Sequence, residues 1–260
     1  MKTSSVGAWV AVCIGVFYLL MPLMGTVEFS LRMLRGTYSF EAYKILGTGE
    51  FQQSFLFSMI IALLTIIVSV LIVVPTVYFV QLRLPKLRPI VEFITLLPLV
   101  IPAIVLVFGY LRLYNSSSWL PLTGTAEATN VLLLFAYVAL ALPYMYRAID
   151  SGMRTVDVRT LTEAAESLGA GLGTILFTVI LPNVRSAVLS GAFLTFAIVI
   201  GEFTIASLLD RPVFGTYLQN VGAGKPYNAS ALSVVAFAIT WASMGLMQVF
   251  GRDRRPKVAH

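Results

Sequence analysis

Residues 157–182 read DVRTLTEAAESLGAGLGTILFTVILP, the longest polar interruption in the second half of a chain that is otherwise strongly apolar. Asp157 is placed to N-cap a helix, and Thr160 with Glu163 has the T-x-x-E spacing of a capping box one turn later. Gly169 supplies the left-handed residue that ends the helix. Beyond it Ile175, Leu176, Val179 and Ile180 recur at helical spacing and lead into Leu181-Pro182, so a second short helix is expected. The stretch therefore reads as a helix-turn-helix elbow between two apolar runs. Its acidic Glu163 and Glu166 beside small Ala164 and Ala165 suit insertion into a groove of a soluble partner, although a solvated amphipathic connector has the same pattern.

Outside the elbow, 58% of the 260 residues are hydrophobic and 12% charged, and the mean hydropathy is +0.88. So few charges cannot coat a soluble globule, and the chain reads as an all-α integral membrane protein. Six apolar runs reach the roughly twenty residues that a membrane helix needs: 6–27, 54–80, 89–111, 130–149, 184–208 and 229–250. The first begins just after Met1-Lys2 but is long enough to span and lacks a clear small-x-small cleavage site, so it is expected to be retained as a helix. Cys13, the single cysteine, lies inside it, which leaves no disulfide framework and no cysteine metal site.

The net charge of +6 gathers at the ends of these runs rather than along one soluble face, so nucleic acid is not an expected partner. Lys2, Arg83, Lys86, Arg88, Arg147, Arg154, Arg159, Arg185, Arg252, Arg254, Arg255 and Lys257 fall on one side. Arg32, Arg35, Lys44, Arg112, Arg211 and Lys225 fall on the other. The positive-inside rule puts both termini and the elbow in the cytoplasm. On the outer side, residues 28–53 are expected to lie on the membrane surface through Phe40, Tyr43, Leu46 and Phe51, and 210–228 is expected to be irregular. Pro98 and Pro102 are expected to kink the third run, and Pro143 to break the fourth.

Glu202 is the most informative side chain inside a run, about 27 Å along the fifth at 1.5 Å per residue. A carboxylate there either lines a solute path, with Gly201, Phe203, Thr195 and Ser207 around it, or caps and bridges helices. Enzymatic readings fare worse. Gly224-Lys225 is followed by Pro226, with Gln219 where a phosphate-binding loop needs its first glycine. The glycines from Gly169 to Gly173 have the wrong spacing and no preceding strand for dinucleotide binding. The histidine is the terminal His260, and the runs hold no pair of aspartates, so intramembrane hydrolysis lacks its groups.

Glu163-Ala164-Ala165, Gly169 six residues beyond Glu163, and Val179-Ile180-Leu181-Pro182 resemble the EAA loop of permease subunits of type I, binding-protein-dependent ATP-binding-cassette importers. Val179 stands where that family usually has isoleucine. The likeness extends more weakly from about residue 50 to the C-terminus. It implies a six-span permease in the cytoplasmic membrane of a bacterium or archaeon. It also implies an ATPase dimer that binds ATP and Mg, a second permease subunit, more often different than identical, and an extracytoplasmic solute-binding protein. Glu163 would then meet a basic residue of the ATPase, Ala164, Ala165 and Leu168 would pack in its groove, Gly169 would make the turn, and Leu181 and Pro182 would close the motif. ALPYMYRAID (141–150) and IGEFTIASLLDRP (200–212) look most like the polyamine subgroup, with relatives for phosphonate, ferric iron and thiamine. Gly201-Glu202-Phe203 also resembles permeases for oxyanions such as sulfate and molybdate. The competing class is an ATP-independent channel or secondary carrier, against which the lack of a visible internal repeat counts mildly.

Overall fold

A computed structural model describes residues 5–34 and 36–251, and its regular structure is helical throughout. The topological charges assigned to Lys2, Arg35, Arg252, Arg254, Arg255 and Lys257, and the terminal His260, lie outside the described residues. The long helices are α1 (Ser5–Leu31), α2 (Gly49–Leu82), α5 (Ala126–Arg154), α9 (Arg185–Gly201) and α12 (Pro226–Gly251). Shorter ones are α3 (Arg88–Val100), α4 (Ala103–Leu113), α6 (Val158–Ser167), α7 (Leu172–Thr174), α8 (Leu181–Asn183), α10 (Thr204–Leu208) and α11 (Phe214–Gly224). Of the six expected spans, those built on α1, α2, α5 and α12 are each long and apolar enough alone, and the third and fifth belong to bent pairs.

The centre is a bundle of α2, α5 and α9, with α1 outside it against α12. Small residues make the bundle tight. Gly152 of α5 faces Ala187 of α9, and Gly191 of α9 lies under Met145 and Ala148. Two apolar clusters stack along the bundle. One holds Ile61, Leu133, Tyr137, Val199 and Phe214, and the other Val77, Tyr78, Ile149, Ile175 and Ile180. The helices start where the sequence offers caps: Thr48 accepts from the Phe51 N–H at 3.4 Å, and Thr125 from the Ala128 N–H at 3.2 Å.

Four expectations need correction. The third span is two helices meeting at 101°. Pro98 sits inside α3, so the break belongs to Pro102, which pushes Ile101 before it into extended backbone (φ −83, ψ 118). Pro143, by contrast, is buried within an unbroken α5 whose neighbours hold it in place. The fifth span stops at Gly201 rather than 208, because Glu202 turns extended (φ −76, ψ 130). Residues 210–228 are not irregular: they form α11, whose first N–H, from Phe214, donates to Ser58 Oγ of α2 at 2.7 Å. At the same end of the bundle a 3-10 turn, Glu41–Gly47, buries Ala42 and Ile45, while Phe40 beside it is exposed and Phe51 at the start of α2 is buried.

Between α10 and α11 the chain passes through Asp210 at φ 53. Arg211 N–H donates to Ala206 O at 2.8 Å and Asp210 N–H to Ser207 O at 3.2 Å, the pattern of a helix end closed by a left-handed residue. Asp210→Gly is therefore expected to raise stability by about 0.5–1 kcal/mol, since glycine adopts that conformation without a Cβ penalty. Thermal unfolding in detergent checks it.

Candidate functional site: the elbow and the helix break

The elbow forms from 157 to 183 as two arms around Gly169, whose φ of 78 requires glycine. Asp157 caps α6, accepting from the Thr160 N–H at 3.0 Å and from the Thr160 hydroxyl at 2.7 Å. The expected capping box is absent. Thr160 is consumed by Asp157, and Glu163 turns instead to Arg159 at 2.8 Å, one turn back on the same face. Hydrogen bonds from the Thr160 backbone, then from its hydroxyl, hold the Asp157 carboxyl below the usual aspartate range. Its lowered pKa makes the contribution of this cap present above the unfolded value, and lost only as pH falls through the lower folded one.

Helix α6 buries Val158, Thr162 and Ala165, spaced i, i+4 and i+7, against the bundle. Ala165, 8% exposed, thus packs in the chain's own core, a correction to its expected place in a partner's groove. Glu163 and Ala164 are exposed, and Leu168 at the tip is 88% exposed. The second arm carries a π-helical turn, Ile175–Ile180, in which the Leu181 N–H reaches back to Leu176 O. Pro182 explains it. Its ring would clash with the carbonyl four residues back, at Thr178, and widening the turn relieves the clash. Ile175, Leu176 and Ile180 are buried, Leu181 packs partly against the same cluster, and Pro182 is exposed.

The sequence reading missed what fastens this elbow. Asp150 of α5, its side chain 10% exposed, accepts from Arg88 at 3.0 Å, Arg154 at 2.7 Å and Gln81 at 2.9 Å. Arg88 also pairs with Glu92 at 2.7 Å. One carboxylate thereby joins α2, α3 and α5 next to the elbow, and Arg83 adds a contact to Glu166 at 3.3 Å. The Arg88/Glu92 and Asp150/Arg154 spacings of four were the available signal.

At the other site, Glu202 lies at the break between α9 and α10. Its carboxylate accepts from the Ile205 N–H at 2.8 Å, the Ala206 N–H at 3.2 Å and the Tyr137 hydroxyl at 3.1 Å. The geometry is that of a cap tied to α5, with two orphan helix N–H groups satisfied by a charge. Its backbone is held as firmly. A Cβ at Gly215 would overlap the Glu202 carbonyl, so α11 seats on the break only through a glycine. Of the expected neighbours, Gly201 and Phe203 line a largely apolar groove of about 450 Å³ with Phe214, Gln219, Phe237 and Thr240. Glu202, Thr195 and Ser207 do not line it. Thr195 is fully buried, and Ser207 faces outward on α10. Tyr137→Phe is expected to cost about 1.5–3 kcal/mol through one lost charge-assisted hydrogen bond. Uptake rate per folded molecule should stay within about twofold, a change of under 0.5 kcal/mol in the barrier.

A family model described as "Binding-protein-dependent transport system inner membrane component" matches residues 81–252. The molybdenum transport system permease protein ModB of Escherichia coli (strain K12) is 29% identical over 181 residues, 62% of this chain and 76% of that protein. The spermidine/putrescine transport system permease protein PotC of the same strain is also 29% identical, over 126 residues, and the match spans 47% of each. Among solved structures, a bacterial ABC transporter that imports the acidic polysaccharide alginate superposes with a TM-score of 0.70 at 13% identity, covering 95% of this chain and 96% of that one, a likeness of fold. Helical spans, elbow and family match converge: the chain belongs to the inner-membrane components of binding-protein-dependent transport systems, as a multi-pass permease subunit of an ABC importer.

Proposed function

We propose that this chain forms half of a solute pathway and receives ATP-driven motion through residues 157–182, which dock on a soluble ATPase dimer that itself holds ATP and Mg. The observation that carries the reading is the division of the elbow. One face is sewn into the α2–α5–α9 bundle, while Ala164 and Glu163, the latter paired only within α6 to Arg159, face outward and Leu168 stands 88% exposed at the tip. An apolar side chain so exposed at a rigid turn is an anchor waiting for a pocket, and the sewn face passes displacement to the helices that bound the break at Glu202. In this assembly the termini are cytoplasmic, a second and different permease completes the pathway, and an extracytoplasmic binding protein delivers the solute.

Leu168→Asp is expected to reduce solute-stimulated ATPase activity at least tenfold while leaving the helical content of the chain unchanged, since a charge in a hot-spot pocket costs 2 kcal/mol or more. Undiminished stimulation, or ion-coupled flux from vesicles holding this chain alone, contradicts the proposal.

For the solute, the 141–150 and 200–212 segments favour a polyamine. A second reading, an oxyanion of the molybdate kind, is favoured by two observations. Glu202 is committed to α10 and Tyr137 rather than open to a cation, and the molybdenum permease matches a larger share of the chain than the polyamine one. Calorimetric titration of the cognate binding protein with spermidine and with molybdate separates them.

A further inference from the structure

Beside the Asp150 junction lies a second cavity, a cleft of about 580 Å³ between α3 and α5. Arg147, Ser151 and Arg154 line it at i, i+4 and i+7, a single stripe of α5. Its carboxylates are already matched: Asp150 by Arg88 and Arg154, Glu92 by Arg88. Arg147 is exposed and makes no ion pair among the described residues. Tyr146 also lines the cleft. It is 3% exposed, and its hydroxyl has no hydrogen-bond partner. A buried hydroxyl without a partner costs roughly 1–3 kcal/mol, so its retention needs a ligand or a water. From the rim, the same face of α3 runs on through the lining Leu96 to exposed Leu99, i+7 from Glu92 and i+4 from Thr95.

We propose that this cleft is a binding site for the phosphate headgroup of an anionic phospholipid in the leaflet on the elbow's side, with its acyl chains along α3. The ligand chemistry follows from the lining. A spare guanidinium beside an orphan phenol and a serine hydroxyl suits a phosphate monoanion or diester, which accepts from all three. The adjoining Leu96 and Leu99 then have a use that a free anion would not give them. A zwitterionic lipid has the same phosphate but brings a cation that the surplus arginine repels, so the cleft selects net negative headgroups. Occupancy would brace α3 against α5 where Asp150 joins them, and so stiffen the seat of the elbow. The site depends on the chain spanning a membrane and not on what the elbow docks, so it stands or falls apart from the proposed coupling.

The test uses the full chain, purified and delipidated in detergent, then titrated separately with phosphatidylglycerol, phosphatidylcholine and inorganic phosphate while native mass spectrometry and thermal unfolding are recorded. Phosphatidylglycerol is expected to be retained and to raise the unfolding temperature, phosphatidylcholine far less. Arg147→Gln should weaken phosphatidylglycerol about tenfold, the loss of one charged hydrogen bond. Tyr146→Phe should weaken it severalfold without destabilising the lipid-free chain, because the hydroxyl it removes is unpartnered there. Arg112→Gln, far along the chain on α4, should change nothing. Equal binding of the two lipids, or variants at 146 and 147 that hold phosphatidylglycerol as the native chain does, would overturn the assignment. So would inorganic phosphate reproducing the whole shift, which would make the cleft a site for a soluble anion.

Discussion

Replacing Gly152 with alanine is expected to destabilise the chain by about 1–3 kcal/mol, although alanine is the better helix former by close to 1 kcal/mol. The added methyl would overlap Ala187 Cβ, with the Ala187 backbone just behind it, so no flexible side chain end can yield. The α5–α9 contact is the most extensive in the fold, and opening it also disturbs Gly191 under Met145 and the cluster around Ile149. Leucine at 152 should prevent folding altogether. The decisive comparison is the double variant Gly152→Ala with Ala187→Gly, which moves the methyl from one helix to the other. It should recover most of the loss in thermal unfolding, and an additive double variant would show that the two helices do not meet there.

Asp150→Ala should cost about 2–4 kcal/mol. Removing one partner of a largely buried ionic junction leaves the others with desolvated, uncompensated groups. Here the survivors are Arg88, Arg154 and the Gln81 amide, drawn from α3, α5 and α2. The upper end of the usual range for such a loss is not reached because Arg154 is half exposed and regains water. Asp150→Asn should cost less, since it still accepts from Gln81 and one guanidinium. If the junction also holds the elbow's seat, Asp150→Ala should lower the coupling of ATP hydrolysis to uptake more than it lowers helical content. Equal losses in both would make it a folding element alone.

How far these features were legible in the sequence varied with the range of the interaction that fixes them. Membrane spans follow from local composition, and residues 51–82, without a single Asp, Glu, Lys or Arg, emerged as one helix from Gly49 to Leu82. Asp157 and Gly169 were legible because a cap and a left-handed turn act within a few residues. The capping box was not, since Asp157 is the N-cap and takes both the N–H and the hydroxyl of Thr160, which leaves Thr160 inside the helix. Prolines were legible in part, Pro102 as a bend but Pro98 and Pro143 not. Pro143 is absorbed by packing on every side, while Pro102 breaks the chain through the residue before it. Ala165 was placed in a partner's groove because the motif alone does not say which face of α6 the bundle claims. The role of Glu202 needed Tyr137, 65 residues away, and the folded-back N–H groups of α10, and no periodicity reports those. The Asp150 junction likewise gathers residues 81, 88, 150 and 154, whose meeting depends on how α2, α3 and α5 are assembled.

The coupling account rests on where Leu168 points and what grips it. Because Cys13 is the single cysteine, a Cys13→Ser chain carrying Leu168→Cys offers one thiol at the tip of the elbow. In intact cells that thiol should resist membrane-impermeant maleimide, react once the cytoplasmic face is opened, and crosslink to a co-purifying ATPase subunit with a yield that changes when ATP is added. A thiol labelled from outside, or one that reacts freely from the cytoplasm and yields no ATPase adduct with or without ATP, would contradict the account.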